Sequence, residues 1–207
     1  FTYNNAGSIL LNARYELPAE GSNTSGDYIT GTSNPIIVRP FAFDVQVVAN
    51  NGTANPTANP AASDASGDKF IAAGSPMTVT TRAVAWASGN DINLNGLADQ
   101  GEDISGNSTT TNFTYNFTAS NASLVHSLVA PSGGEQGSLS DTFSGNFSGN
   151  FSNGENTFVT SFSEVGIIDL AVNASNYLAA GVNIAGKTPF VGRFTPAYFE
   201  QTINSQG

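Results

Sequence analysis

Apolar residues along this chain recur mostly at every second position, and the three-to-four spacing of an amphipathic helix is nearly absent. In "MTVTTRAVAW" (77–86), Met77, Val79, Thr81, Ala83 and Ala85 fall on one face of an extended strand. In "NFTYNFT" (112–118), Phe113, Tyr115 and Phe117 alternate with Thr and Asn, the pattern of a half-buried strand. Further strands are predicted in 41–49, 123–130, 138–147, 157–165 and 167–174, with Gly, Pro, Asn and Ser clustered between them. Many short strands broken by turn residues predict an all-β protein, an antiparallel Ig-like β-sandwich.

Two stretches depart from this pattern. "NNGTANPTANPAASDASGD" (50–68) repeats Thr-Ala-Asn-Pro and lacks large apolar residues, which predicts a mobile loop insertion. "SGNFSGNFSNG" (144–154) repeats a tetrad that puts Phe147 and Phe151 on one strand face, as in a long hairpin arm.

A longer-range echo organises the whole chain. "AGSILLNA" (6–13) matches "VGIIDLAV" (165–172), aligning Gly7 with Gly166, Ile9 with Ile168 and Leu11 with Leu170. "IIVRPFAF" (36–43) then echoes "FVGRFTPAYF" (190–199), each with an Arg followed by Pro and Phe. Two motifs repeating in the same order, about a domain length apart, predict a tandem array. Residues 1–39 then read as the terminal strands of a preceding Ig-like unit. Residues 40–194 form a complete unit carrying the 50–68 insertion, and 195–207 begin a following unit or linking strand. The chain starts at Phe1 rather than Met, so it reads as a processed protein or a piece of a longer one.

Charge narrows the partners. Lys and Arg number 6 against 16 Asp and Glu, a formal net charge of −10, and no basic cluster relieves it. Such a surface repels phosphate backbones, so nucleic-acid binding is not expected. No apolar run is long enough to span a bilayer, so no direct membrane insertion is expected. With no cysteine, disulfides and thiolate metal sites are ruled out, and any ion site has to be built from oxygen. Only 11% of residues are charged, and solubility falls to Asn, Ser, Thr and Gly. This composition predicts a secreted or surface-exposed bacterial β-protein.

The ordered landmarks "RPFAF" (39–43), "AAGSPMTVTTRAVAW" (72–86), "LVAPSGGEQGSL" (128–139), "SFSEVGIIDLAV" (161–172), "NYLAAG" (176–181) and "VGRFTPAYF" (191–199) carry a resemblance. From about residue 36 onward the chain resembles the Ig-like region of the MSHA pilus biogenesis protein MshQ family. The resemblance implies a large, multi-domain surface protein of Gram-negative bacteria, associated with pili and adhesive, with no catalytic residues to carry over. The loops at 50–68 and 91–102 are not part of that pattern.

"DINLNGLADQGE" (91–102) is the chain's most pointed chemical signal. Counted from Asp91, positions 1, 3, 5, 7, 9 and 12 are Asp91, Asn93, Asn95, Leu97, Asp99 and Glu102, with Gly96 at position 6. This is the register of a calcium loop of the EF-hand kind. Side-chain oxygens at 1, 3 and 5 converge as the loop curls, position 7 offers its backbone carbonyl, and Glu at 12 binds through both oxygens. The flanks read as strand end and loop, so the expectation is a calcium loop spliced into a sandwich. Only Asp91, Asp99 and Glu102 bring charge, so affinity is expected in the micromolar-to-millimolar range of extracellular modules. The competing reading is a solvated acidic turn.

Other features read as structural. His126, the sole histidine, has no nucleophile or orienting acid suggested by motif and reads as a sheet-face residue. Trp86 reads as a core or sheet-packing residue, and Glu164 as structural. The many Asn-x-Ser/Thr triplets are expected by chance in so Asn-, Ser- and Thr-rich a chain. The expected function is a non-enzymatic, calcium-stabilised Ig-like module of an extracellular adhesin. Its partners would be neighbouring Ig-like domains or copies of itself, pilus components, or host or surface glycans. The rival is a filament subunit assembled by strand addition between copies; a glycan-degrading enzyme or carbohydrate-binding module ranks third.

Overall fold

The computed structural model of the protein describes residues 3–18, 21, 27–49, 57–99, 102–116, 122–140 and 150–201. Its elements are β1 (Gly7–Ile9), β2 (Asn12–Glu16), β3 (Tyr28–Thr32), β4 (Ile36–Val38), β5 (Ala42–Ala49), β6 (Thr57–Ala58), β7 (Pro76–Val84), β8 (Tyr115–Asn116), β9 (Ala122–Ala130), β10 (Asn150–Phe151), β11 (Glu155–Ser161), β12 (Gly166–Ala174) and β13 (Ile184–Phe194), with a short 3-10 turn at Tyr177–Ala179. The all-β, antiparallel prediction holds. A four-stranded sheet runs β11-β7-β5-β6, a three-stranded sheet runs β13-β12-β9, and β1-β4, β2-β3 and β8-β10 form two-stranded ladders.

The alternation read from the sequence sets the layers. On β7, Met77, Val79, Thr81 and Ala83 are all buried, the inward set that the period of two predicts. They meet Phe43, Val45 and Val47 of β5 on one side of the core, while Ile168, Leu170, Val172, Ile184 and Val191 line the other. Burial of each large apolar side chain contributes about 1.5–3 kcal/mol. Aromatic rings fill the ends of the core. Phe43 stacks on Phe151 at 5.1 Å, and Phe113 packs edge-on against Phe151 at 5.0 Å. Phe194 packs against Phe70 and Phe162. Buried Asp44 is neutralised by Arg82, whose Nε donates to its Oδ2 at 3.0 Å.

The sheets touch backbone to backbone at one point. A Cβ at Gly186 would lie 1.9 Å from the Phe43 carbonyl oxygen, so only glycine lets β13 approach β5 here. Asn59 bridges the sheets nearby: its Nδ2 donates to the Phe190 carbonyl at 2.7 Å, and its Oδ1 accepts the Gly192 N–H at 3.1 Å.

Several expectations change. Part of the 50–68 segment is built into the body rather than free. Thr57–Ala58 pairs with β5, Asn59 bridges the sheets, and Ala62 is buried; residues 50–56 lie outside the described residues. Phe151 is a core residue rather than part of an arm, and Phe147 lies outside the described residues, as does Phe117. Extended pairing in 112–118 is confined, among the described residues, to Tyr115–Asn116, and Phe113 reaches the core from a turn. Leu139 makes a single bridge to Phe162, while 141–149 lie outside the described residues. Residues 197–201 form no strand, and 202–207 are outside the described set.

The two halves of the sequence echo pair with each other in both places. β1 is antiparallel to β4, as β12 is to β13. Aligned Gly7 and Gly166 share a backbone angle that favours glycine, φ 136° and 130°. The registers differ, because β12 is irregular on either side of Ile168. The ladders β1-β4 and β2-β3 therefore form an antiparallel arm that corresponds to β12–β13, and every residue of β2 and β3 is exposed.

Candidate calcium loop and its anchor

The end of β7 and the segment after the acidic loop are tied together, which fixes the loop's base. Val84 bridges Thr109, the Ala85 N–H donates to Ser108 O at 2.8 Å, and Asn107 Nδ2 donates to Ala85 O at 2.9 Å. Beneath it, Ile104 packs on buried Phe41, Ala42 and Val84.

From this base the chain curls back through a series of short-range hydrogen bonds. Asp91 is buried, and its carboxylate accepts the N–H of Asn95 at 3.1 Å and of Gly96 at 3.0 Å. Asn93 Oδ1 accepts the Asn95 N–H at 3.1 Å, and Asn95 Oδ1 the Leu97 N–H at 2.7 Å. These short-range bonds are the usual preference of Asn in turns, used in series. Gly96 supplies the sharp turn at φ 75°. Glu102 closes the ring, accepting the Ile92 N–H through Oε1 at 2.7 Å and the Asp99 N–H through Oε2 at 2.8 Å. Asp99 Oδ2 accepts from Nδ2 of both Asn93 (2.8 Å) and Asn95 (2.9 Å). Asp91, Asn93, Asn95, Asp99 and Glu102 are thus drawn into one hydrogen-bonded loop. Leu97 takes part through its backbone, with its side chain turned to solvent.

Among the described residues, no three His, Cys, Asp or Glu side chains form a group that could hold a metal. A cation here would draw on amide and backbone oxygens beside the carboxylates, a donor set suited to calcium rather than to softer metals. Two residues that pattern reading did not assign to the loop hold it. Trp86 is half exposed rather than core, and its Nε1–H donates to Asp91 Oδ2 at 2.7 Å. Arg39 donates to Gly96 O at 2.7 Å, and also to Pro40 O and Phe41 O. In the sequence Arg39 stands out as a landmark of the echo and of the family resemblance but not as a loop contact, because a contact spanning 57 residues leaves no local signature. Burial raises the Asp91 pKa, but the Trp86 indole and the N–H groups of Gly96, Asn95 and Leu94 outweigh it, so the carboxyl titrates below its ordinary 3.8.

The weaker signals resolve simply. His126 lies on β9, with its ring edge-on to Phe162 at 5.6 Å and Nε2 3.0 Å from the Gln136 carbonyl. Asn107, one of the Asn-x-Ser/Thr positions, is buried with its amide already engaged. Among the described residues, no helix is long and apolar enough to cross a membrane. Searches among curated proteins and solved structures find no match. Residues 39–160 match DUF6701, second domain, and residues 164–207 match DUF6701, third domain. The boundary falls between β11 and β12, so the sheet β13-β12-β9 joins strands from both matches, and by these matches over most of its length the chain belongs to the DUF6701 family.

Proposed function

We propose that this chain is a non-enzymatic, Ig-like module of an extracellular bacterial adhesin, surface-borne or pilus-associated, in which residues 91–102 bind calcium to stiffen a junction between units. One observation carries the reading: Arg39, at the point where β4 passes into β5, donates to the carbonyl of Gly96 at the tip of the acidic loop. An ion that fixes the loop would thereby fix the direction in which the 7–38 hairpin leaves the sandwich. The anionic, cysteine-free composition and the echo of the strand pair support an extracellular tandem setting. Calcium titrated into the native chain should give heat with a micromolar-to-millimolar dissociation constant. Glu102→Ala should weaken it at least about tenfold, since the bidentate position is lost. No heat from the native chain refutes the calcium reading.

The filament alternative draws support from the exposed hairpin and from Tyr198 and Phe199, which are 78% and 92% exposed beyond β13. Light scattering separates the two: a monomer at high concentration argues for the module, and concentration-dependent growth argues for the filament.

A further inference from the structure

The two equivalent hairpins differ in what lies beside their first strand. β12 is a central strand, with β13 on one edge and β9 on the other; β1 has β4 on one edge and, among the described residues, no strand on the other. The glycines make the difference concrete. A Cβ at Gly166 would lie 2.3 Å from the carbonyl oxygen of Ala130 on β9, with Leu128 and Pro131 close behind. A Cβ at Gly7, at nearly the same φ, would meet nothing within 4 Å. Apolar exposure follows: Leu170 is 0% exposed and its counterpart Leu11 41%, with Leu10 beside it at 53%.

We propose that the free edge of β1 is a docking site for an antiparallel strand of the β9 kind, supplied by a preceding homologous unit. An unpaired strand edge presents N–H and C=O groups that bond readily to an incoming strand. β1 pairs with β4 from Gly7 opposite Val38 to Ile9 opposite Ile36, and Leu11, just beyond β1, also spends its backbone within the hairpin, accepting from the Ser33 N–H and donating to Ser33 Oγ, both at 2.9 Å. The occupant follows from the internal copy. β9 lies on β12 with Leu128 opposite Ile168 and His126 opposite Leu170, so its equivalent places those positions opposite Ile9 and Leu11. The strand it needs alternates apolar and polar residues as Leu124, His126 and Leu128 do, and brings a carbonyl against Gly7. The inference rests on the tandem reading of the echo and is independent of calcium.

The chain has no cysteine, so disulfide trapping is clean. The probe is a synthetic peptide of residues 121–131, added to the full chain. Ile9→Cys with peptide Leu128→Cys, and Leu11→Cys with peptide His126→Cys, should cross-link several-fold faster than the mismatched Leu11→Cys with peptide Leu128→Cys. Amide signals of residues 7–11 should shift on adding unmodified peptide, while those of β12 stay fixed. Equal cross-linking in all pairings, or no shift in residues 7–11, overturns the proposal. So does a full-length Leu11→Cys protein that links to itself and ignores the peptide, since the occupant is then a second copy. The tandem reading is judged separately, by whether the natural precursor carries a homologous unit before residue 7. A tandem precursor with an unresponsive β1 edge would refute the docking site alone.

Discussion

Residues 166–194 and residues 7–38 begin with the same glycine-led apolar strand and return through a strand ending near an arginine, yet they occupy opposite surroundings. In the first, Ile168, Leu170 and Val172 are fully buried in the core shared with β5 and β7, and β9 is paired alongside their strand. In the second, Leu10, Leu11, Tyr15 and Ile29 are exposed, and the Arg14 guanidinium lies 3.6 Å over the Tyr28 ring. Their arginines differ too: Arg193 reaches the carbonyl of Ala65 in the turn made by Asp64 and Ser66, whereas Arg39 reaches Gly96 in the acidic loop. A strand's pattern records the neighbours for which it was selected, and only the fold reveals whether they are present.

The strongest way to break this comparison is truncation of the paired leucines. Leu170→Ala should lower unfolding free energy by about 3 kcal/mol, as for other buried leucines, while Leu11→Ala should cost no more than about 0.5. Urea denaturation reads both, and equal losses would mean that the hairpin is packed after all. Next come the glycines. Gly7→Ala and Gly166→Ala both suffer backbone strain, but the second also drives a methyl into the Ala130 carbonyl, for about 2 kcal/mol more. Equal midpoints for the two variants would remove the argument for β9 as the missing neighbour.

The smallest effect sharpens the role of the loop. Asp91 has a depressed pKa, so its contribution to stability is present above the carboxyl's unfolded value of 3.8 and is lost as pH falls through the lower folded value. Hydrogen-exchange protection, taken relative to the intrinsic rate at each pH, should therefore be lost below pH 3.8 in residues 91–99 and at the Arg39 junction before it is lost in β12 and β13. Simultaneous opening of all four would disconnect the loop from the hairpin.

Sequence alone determined the layers, since a period of two assigns each side chain to a face whatever its partner. It also determined the curl of the acidic loop, because Asx turns and a glycine at positive φ are made among near neighbours. The echo of Gly7 and Gly166 was legible as well, for the same local reason. Tertiary structure alone decided that Phe151 belongs to the core and that Asn59 bridges the sheets. It alone decided that Trp86 and Arg39 hold the loop, and that the apolar face of β12 is buried while β2 and β3 stand exposed. Those outcomes depend on contacts between residues far apart in the chain, and such contacts leave no period or spacing in the sequence to read.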